Sequence, residues 1–238
     1  MSATRIPYVS VIMSVYNCVR YVQESLESII GQTFMDWEFI IIDDGSTDGT
    51  SELLNNICKD PRISVFRQDN HGLAKSLNTC LRLASGRYIA RQDADDVSFP
   101  TRLAKQVAFL DSMPEFGLVG TWAHWTDEDD TCLQILDHPA QDDEIQETLL
   151  EKCCFTHGSV VIRKSVLDNV GGYCEDFVLA QDYDLWLRIA ERCKVANIPE
   201  VLYTYLKVKT GISCQRYVER LKYKQLAVAR AYNRRQVI

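Results

Sequence analysis

Tyr88-Ile89-Ala90-Arg91-Gln92-Asp93-Ala94-Asp95-Asp96 runs from an apolar start straight into three carboxylates. Its first residues predict a short buried strand. The acids behind it repel one another unless a cation sits among them. Oxygen ligands at this density suit Mg²⁺ or Mn²⁺ better than Zn²⁺, which prefers nitrogen and sulfur. An open α/β sheet binds ligands at the carboxyl ends of its strands. The stretch therefore predicts a divalent metal holding a phosphorylated ligand. It also reads as an acidic turn capping the next helix, and taken alone it leaves both open.

The residues upstream build the sheet this strand would join. Tyr8 to Val15 is nearly continuous in apolar character and rich in β-branched residues, as a strand buried on both faces requires. Tyr16-Asn17 breaks it, and Tyr21 to Ile30 carries apolar residues at helical spacing. Phe39 to Ile42 predicts a second buried strand. It ends in Asp43-Asp44-Gly45-Ser46-Thr47-Asp48-Gly49, a run of turn and cap residues. A helix over about 51–58, a strand at Ile63 to Phe66 and a helix from Gly72 to Ala84 follow, and Gly86 precedes the Tyr88 to Ala90 strand. Strands alternating with helices predict a doubly wound, mostly parallel sheet. Its strand ends share one edge, so Asp43-Asp44 and Asp93-Asp95-Asp96 are expected to face one cleft. No Gly-x-Gly-x-x-Gly or Walker-type loop follows any strand, which excludes the usual nicotinamide and P-loop sites.

Downstream the pattern is mixed. Pro100 opens a helix to about Met113, and Leu118 to Trp122 reads as a strand. Thr126 to Thr131 (TDEDDT) reads as a solvated hairpin turn, since no buried strand feeds it. A helix over Asp142 to Leu150, a strand at Ser159 to Ile162 led by His157-Gly158, and a turn at Gly171-Gly172-Tyr173 come next. Asp182 to Ala190 is an amphipathic helix with an acid in its first turn, and Val195 to Ile198 and Leu202 to Tyr205 are expected as two short strands. Tyr217 to Arg235 predicts one long basic helix. Arg216, Arg220, Lys222, Lys224, Arg230, Arg234 and Arg235 stand there against Glu219.

Composition bounds the function. The 238 residues are 46% hydrophobic and 25% charged, ordinary for a globular domain, and the net charge of −7 argues against general nucleic-acid binding. No secretory leader or membrane-spanning run is visible. The nine cysteines include no C-x-x-C pair, so neither a zinc ribbon nor a thioredoxin-type motif is present, and reduced thiols in a cytoplasmic protein are expected. One domain over 1–238 is expected: a nucleotide-binding half over 7–100, an acceptor half over 101–210 and the basic helix over 211–238.

These pieces, in this order, resemble the family 2 glycosyltransferases of GT-A fold. The resemblance is carried by VSVIMSVYN (Val9 to Asn17), SIIGQTF (Ser28 to Phe34), WEFIIIDDGSTDGT (Trp37 to Thr50), GLAKSLN (Gly72 to Asn78), ASGRYIARQDADD (Ala84 to Asp96), GGY (Gly171 to Tyr173) and QDYDLWLR (Gln181 to Arg188). It covers about Val9 to Tyr205. It implies transfer of a sugar from a nucleotide-diphosphate donor, most commonly UDP, to an acceptor hydroxyl with inversion. Ser14, Asn17, Asp43, Asp44 and Lys75 match the nucleotide side, with Asp44 matching the acid that accepts from the base. Asp93, Asp95 and Asp96 match the metal motif, one or two of them on Mn²⁺ or Mg²⁺ and another on the ribose. Asp95 and Asp96 are the metal candidates, Asp93 supports the ribose or the metal's water shell, and Asp93 and Asp95 both count on the nucleotide-sugar side. His157 is a further metal-side residue. Asp182 matches the general base that takes the acceptor's proton, although an acid there also stabilises a helix by about 0.5–1 kcal/mol. The preceding Gln181 departs from the Glu that many members carry. The implied acceptor is a saccharide or lipid-linked saccharide in cell-surface polysaccharide or glycolipid assembly. The basic helix is then a candidate for peripheral contact with the inner face of the membrane. Trp125 is a candidate for stacking on the acceptor, and Trp122 is weighed beside it, whereas Trp186 is expected in the core.

Two other functions compete. Asp93 and Asp95 after an apolar strand also fit a haloacid-dehalogenase-type phosphatase, although that pattern normally opens its domain. A catalytically silent sugar-nucleotide binder would keep Asp44 and the metal acids and need no base.

Overall fold

The computed structural model describes residues 6–129, 131–207 and 216–236. A single mixed sheet runs in the order β3-β2-β1-β4-β8-β6-β9-β5, with β7 paired to β6. Its first half is the expected one. β1 (Val9–Val15) lies between β2 (Trp37–Asp43) and β4 (Tyr88–Arg91), and β3 (Ile63–Arg67) flanks β2, all parallel. The helices between them are α1 (Val22–Ile30), α2 (Thr50–Ile57) and α3 (Leu73–Leu83). Alternate residues of these strands enter two different cores. Val11, Met13, Phe39 and Ile41 pack with Leu26, Ile29 and Leu54 on one face. Ile12, Ile40, Ile42 and Ile89 pack with Leu77, Leu185 and Trp186 on the other. That double burial is why the strands read as continuous apolar runs.

The second half departs from simple alternation. After β5 (Val97–Ser98) and α4 (Arg102–Ser112) comes β6 (Phe116–Thr126), which turns back as β7 (Cys132–Leu136). α5 (Asp142–Thr148), β8 (Val161–Arg163), α6 (Lys164–Val170), α7 (Gln181–Ala190), β9 (Lys194–Leu206) and α8 (Tyr217–Gln236) complete the chain. β8 is antiparallel to both β4 and β6, which joins the two halves.

Several expectations change here. The two short strands expected at Val195 to Ile198 and Leu202 to Tyr205 are one strand, β9. It runs parallel to β6, and its register slips where Thr121 pairs Ile198 but Trp122 pairs Val201. The slip takes up Pro199 and Glu200, since proline cannot donate to a ladder. The strand expected at Ser159 begins instead at Val161, because His157–Ser159 forms a 3-10 turn. α4 starts at Arg102 with Thr101 as its N-cap, leaving Pro100 ahead of it. The TDEDDT stretch, of which residue 130 lies outside the described residues, links β6 to β7 and is tied down: Glu128 accepts hydrogen bonds from Arg20 at 3.0 Å and Tyr21 at 2.8 Å. Trp186 is fully buried, as expected. The eight described cysteines are free thiols, and Cys214 lies outside the described residues.

Candidate active site

The acids follow β4, at the carboxyl end of the parallel half. Asp93 is partly open, its carboxylate is gripped by the buried Arg91, and its backbone N–H donates to the Tyr203 hydroxyl at 3.2 Å. Asp95 is also partly open, and its carboxyl is pushed up to about 6, by burial first and by Asp93 beside it. Asp96 is 1% exposed and is raised well above the carboxylate range by burial, Asp95 and Asp93. One Asp96 oxygen accepts from the Leu206 N–H at 2.9 Å, while the buried Oδ2 has no hydrogen-bond partner. An orphan carboxylate oxygen beside a second strained acid is the electrostatic situation a hard cation relieves. The residues fit Mg²⁺ or Mn²⁺ as a partial set, which these ions accept when ligand phosphates complete the shell. Among the described residues no three His, Cys, Asp or Glu side chains converge on one metal position.

His157 is therefore not gathered with Asp95 and Asp96. Its Nδ1 lies 3.9 Å from Asp93 Oδ2, and its Nε2 is 2.9 Å from the Tyr173 hydroxyl. Burial and the nearby Arg91 lower its pKa, so it is neutral near pH 7.

The second strand end is built differently. Asp43 is fully buried, and its oxygens accept the Ser46 N–H at 3.0 Å and the Ser51 hydroxyl. They are spent on the turn and the start of α2. Asp44 is 2% exposed and accepts from Gln68 Nε2 at 2.7 Å, His71 N–H at 2.9 Å and Gly72 N–H at 2.8 Å. Burial alone would raise its pKa, but hydrogen bonds from His71, Gln68, Ser76 and Gly72 outweigh it and lower the value. Asp44 thus pins the loop between β3 and α3 to the end of β2. Asn17, at φ 50, ties the β1 loop to the same turn: its N–H donates to Ser46 Oγ at 3.0 Å and its Oδ1 accepts the Thr47 N–H at 2.8 Å. Ser14 is half-buried near the end of β1, and Lys75 is exposed in the first turn of α3.

Asp182 is half-buried in the first turn of α7. The residue before that helix begins, Ala180, holds φ 56, a left-handed conformation costly for any residue with a Cβ. The Asp182 charge pulls upward on His157, against the burial and Arg91 that lower it, and adds to the burial that raises Tyr173. His157 therefore feels the charge of both Asp93 and Asp182. The next acid, Asp184, is buried and paired with Arg188 at 2.8 Å.

Sequence reading missed several groups beneath the acids. Arg91 and Arg102 are buried guanidinium groups, and Arg102 donates to the Gly158 carbonyl at 3.3 Å and the Arg91 carbonyl at 3.2 Å. No described carboxylate pairs with Arg102, and burial lowers its pKa to about 10. Tyr203, from β9, lies between Arg102 and the acids. The one local signal was an arginine inside an otherwise apolar strand, Tyr88 to Arg91.

Comparison with known proteins identifies the family and the fold. Residues 10–171 match the family model described as glycosyl transferase family 2. EpsE of Bacillus subtilis strain 168, named as a glycosyltransferase, is 40% identical over 207 residues, covering 83% of this chain and 72% of the relative. The O-antigen biosynthesis glycosyltransferase WbnJ of Escherichia coli is 33% identical over 210 residues, covering 86% and 82%. Residues 1–349 of S. aureus TarS, crystallised with UDP-GlcNAc, superpose with TM-score 0.75 at 19% identity, over 92% of this chain and 66% of that one. The last likeness identifies the fold as GT-A. With the matched motifs running from β1 through the Gly171 turn, and relatives of this identity aligned over most of their length, the chain belongs to the family 2 glycosyltransferases.

Proposed function

We propose that this enzyme moves a sugar from a nucleotide-diphosphate donor, UDP-linked in the first instance, to an acceptor hydroxyl with inversion at C1. The whole chain acts as one catalytic unit, with its nucleotide side over 7–100 and its acceptor side over 101–210. The observation that carries the reading is Asp93, after β4, 3.9 Å from His157, which also feels the charge of Asp182 at the start of α7. On this reading the donor-side and acceptor-side carboxylates share one cleft.

In this mechanism Asp182 accepts the proton of the acceptor hydroxyl as its oxygen attacks C1. The C1–O bond to the diphosphate breaks, and the electron pair leaves with the nucleoside diphosphate. A divalent cation held by Asp95 and Asp96 would supply neutralising charge at that diphosphate. Ser14, Asn17, Asp44 and Lys75 border the nucleotide, and Asp93 orients the ribose or diphosphate. Asp43 serves through the turn it builds. The UDP preference is supported by TarS, a protein of this fold bound to UDP-GlcNAc. Polysaccharide or glycolipid assembly is supported by WbnJ, whose name places it in O-antigen biosynthesis. The phosphatase reading is disfavoured because Asp93 follows the fourth strand of a continuous sheet rather than opening one.

The test is a thermal-shift screen of UDP-, GDP- and dTDP-sugars with and without Mn²⁺, since a ligand stabilises the fold it binds. Stabilisation by one nucleotide class that requires the metal is expected. No shift with any of them would remove the donor-site assignment.

A peripheral contact with an anionic membrane at the cytoplasmic face remains part of the proposal. No described helix is long and apolar enough to cross a membrane. Much of the basic charge of α8 is turned to the protein, with Arg230 near Asp176 and Arg234 on Glu191. Its outward side instead exposes Val218, Leu221 and Tyr232 beside Lys222. Leu221→Ser should then weaken cosedimentation with anionic vesicles. Unchanged binding would set this contact aside.

A further inference from the structure

Asn78 of GLAKSLN and Tyr173 of GGY have no task in the mechanism above, yet they form one device. Asn78, on α3, grips the main chain of Tyr173 from both sides. Its Nδ2 donates to the Tyr173 carbonyl at 2.9 Å, and its Oδ1 accepts the Tyr173 N–H at 3.0 Å. Gly172, at φ 69, lets the turn pass Asn78: a Cβ there would press on Asn78 Oδ1 and hold a left-handed backbone. The clamp sends the Tyr173 ring inward, where it is 3% exposed. Its hydroxyl meets His157 Nε2 at 2.9 Å. The His157 ring is boxed edge-on by the rings of Tyr173 and Trp186, with centroids at 5.7 and 6.0 Å. Its Nδ1 faces Asp93 Oδ2 at 3.9 Å, while Arg91 holds the other oxygen of Asp93.

Two arrangements of one proton satisfy the His157–Tyr173 hydrogen bond. With the proton on Nε2, the ring would donate to Tyr173 and turn the Nδ1 lone pair toward a carboxylate oxygen, which is repulsive. With the proton on Nδ1, Tyr173 donates to Nε2 and the Nδ1–H brings its positive end near Asp93 Oδ2, 3.9 Å from Nδ1, which is attractive. Burial pushes the Tyr173 phenol up, so it keeps the proton it must donate. A neutral imidazole with one nitrogen engaged has its other nitrogen defined by that bond.

We propose that Tyr173 is a positioning residue: by donating to Nε2 it fixes His157 as the Nδ1–H tautomer near Asp93, so that Asp93 is held between Arg91 and His157. The importance of this for transfer rests on the donor-site reading of Asp93, whereas the tautomer does not. A tyrosine and histidine that merely fill the core would make the same contacts with no consequence for the reaction.

The test is Tyr173→Phe, which removes one hydroxyl and keeps the ring. Imidazole ¹⁵N shifts are measured on ligand-free protein near neutral pH. Among the four histidines, His157 is assigned by its loss in His157→Gln. The expected wild-type signals are a protonated Nδ1 and a bare Nε2. In Tyr173→Phe they move toward tautomer averaging, and kcat falls by about tenfold with the donor KM within about twofold, the scale of lost second-layer support. Asn78→Ala, which leaves the hydroxyl and frees the turn, should shift both readouts the same way by less. A wild-type Nε2–H tautomer, unchanged signals in Tyr173→Phe, or unchanged kcat would each overturn the proposal. The expected tautomer in a wild-type protein that transfers from no nucleotide sugar would instead sink the functional reading and leave the positioning geometry standing.

Discussion

The Tyr203 hydroxyl occupies the place where a Cβ on Gly158 would stand, with an Asp93 carboxylate oxygen beside it. Three separate segments meet there: the 3-10 turn, β9 and the acids after β4. Gly158→Ala must therefore move Tyr203, which accepts the Asp93 N–H. Overpacking of this kind costs roughly 1–3 kcal/mol. The unfolding free energy from urea titration should fall by that amount, and the stabilisation given by donor plus Mn²⁺ should shrink further. A variant that keeps both values would show that the turn can yield without disturbing the acids.

Asp182 and Asp184 are two residues apart and are expected to separate cleanly. Asp182→Asn should lower kcat by about 10²–10⁴, the range for a lost general base. Its stability should change by no more than about 1 kcal/mol, the worth of an acid at a helix N-terminus. Asp184→Asn breaks a buried pair with Arg188 and should instead destabilise by about 3 kcal/mol with a modest change in kcat. Equal losses of turnover in the two variants would remove the base from Asp182.

The strained acids give a sign for the effect of pH and cations. Asp95 binds its proton more tightly folded than unfolded, since its carboxyl sits at about 6. Its contribution to stability is present at low pH and is lost as the pH rises through about 6. In EDTA the melting temperature should fall across that window, and Mn²⁺ with a nucleoside diphosphate should restore it above pH 6. Asp96→Asn removes a buried carboxyl whose ionisation burial, Asp95 and Asp93 all oppose. It is expected to stabilise the metal-free protein near neutral pH by about 1 kcal/mol and to abolish the gain from Mn²⁺. A gain that survives in Asp96→Asn would place the cation elsewhere.

His138 has the opposite sign. Burial lowers its pKa to about 4, with Lys152 adding to the effect, so the folded chain resists its protonation. The stability it permits is complete above the unfolded value near 6.5 and is lost as pH falls through about 4. Acid denaturation curves should steepen in that interval and flatten in His138→Gln. Identical curves would assign the acid sensitivity to other groups.

Much of the parallel half was legible from periodicity. Strands buried on both faces must be continuously apolar, and Val9 to Val15 and Phe39 to Ile42 are. The acids after β2 and β4 stand at strand ends because charges cannot continue such a run. Asp43 and Asp44 show the limit of that reasoning. Adjacent and identical in type, they look interchangeable, yet Asp43 closes its own turn through Ser46 and Ser51 while Asp44 reaches the loop before α3. The donors that tell them apart come from different segments, and no local pattern records them.

The sequence alone determined the family, the parallel strands from β1 to β4 and the acids after them, because each depends on residues near one another in the chain. Tertiary structure decided the rest. Whether Val195 to Tyr205 makes one strand or two depended on a slip against β6 that accommodates Pro199. Whether Arg91 and Arg102 lie on the surface or under the acids depended on carbonyls and carboxylates supplied by their neighbours. Asp96 was legible as an acid, but its unpartnered oxygen was not, because burial is set by β9 arriving from 110 residues away. Local chemistry names the groups a segment can offer, and only packing decides which of them are left unsatisfied and therefore available to a ligand.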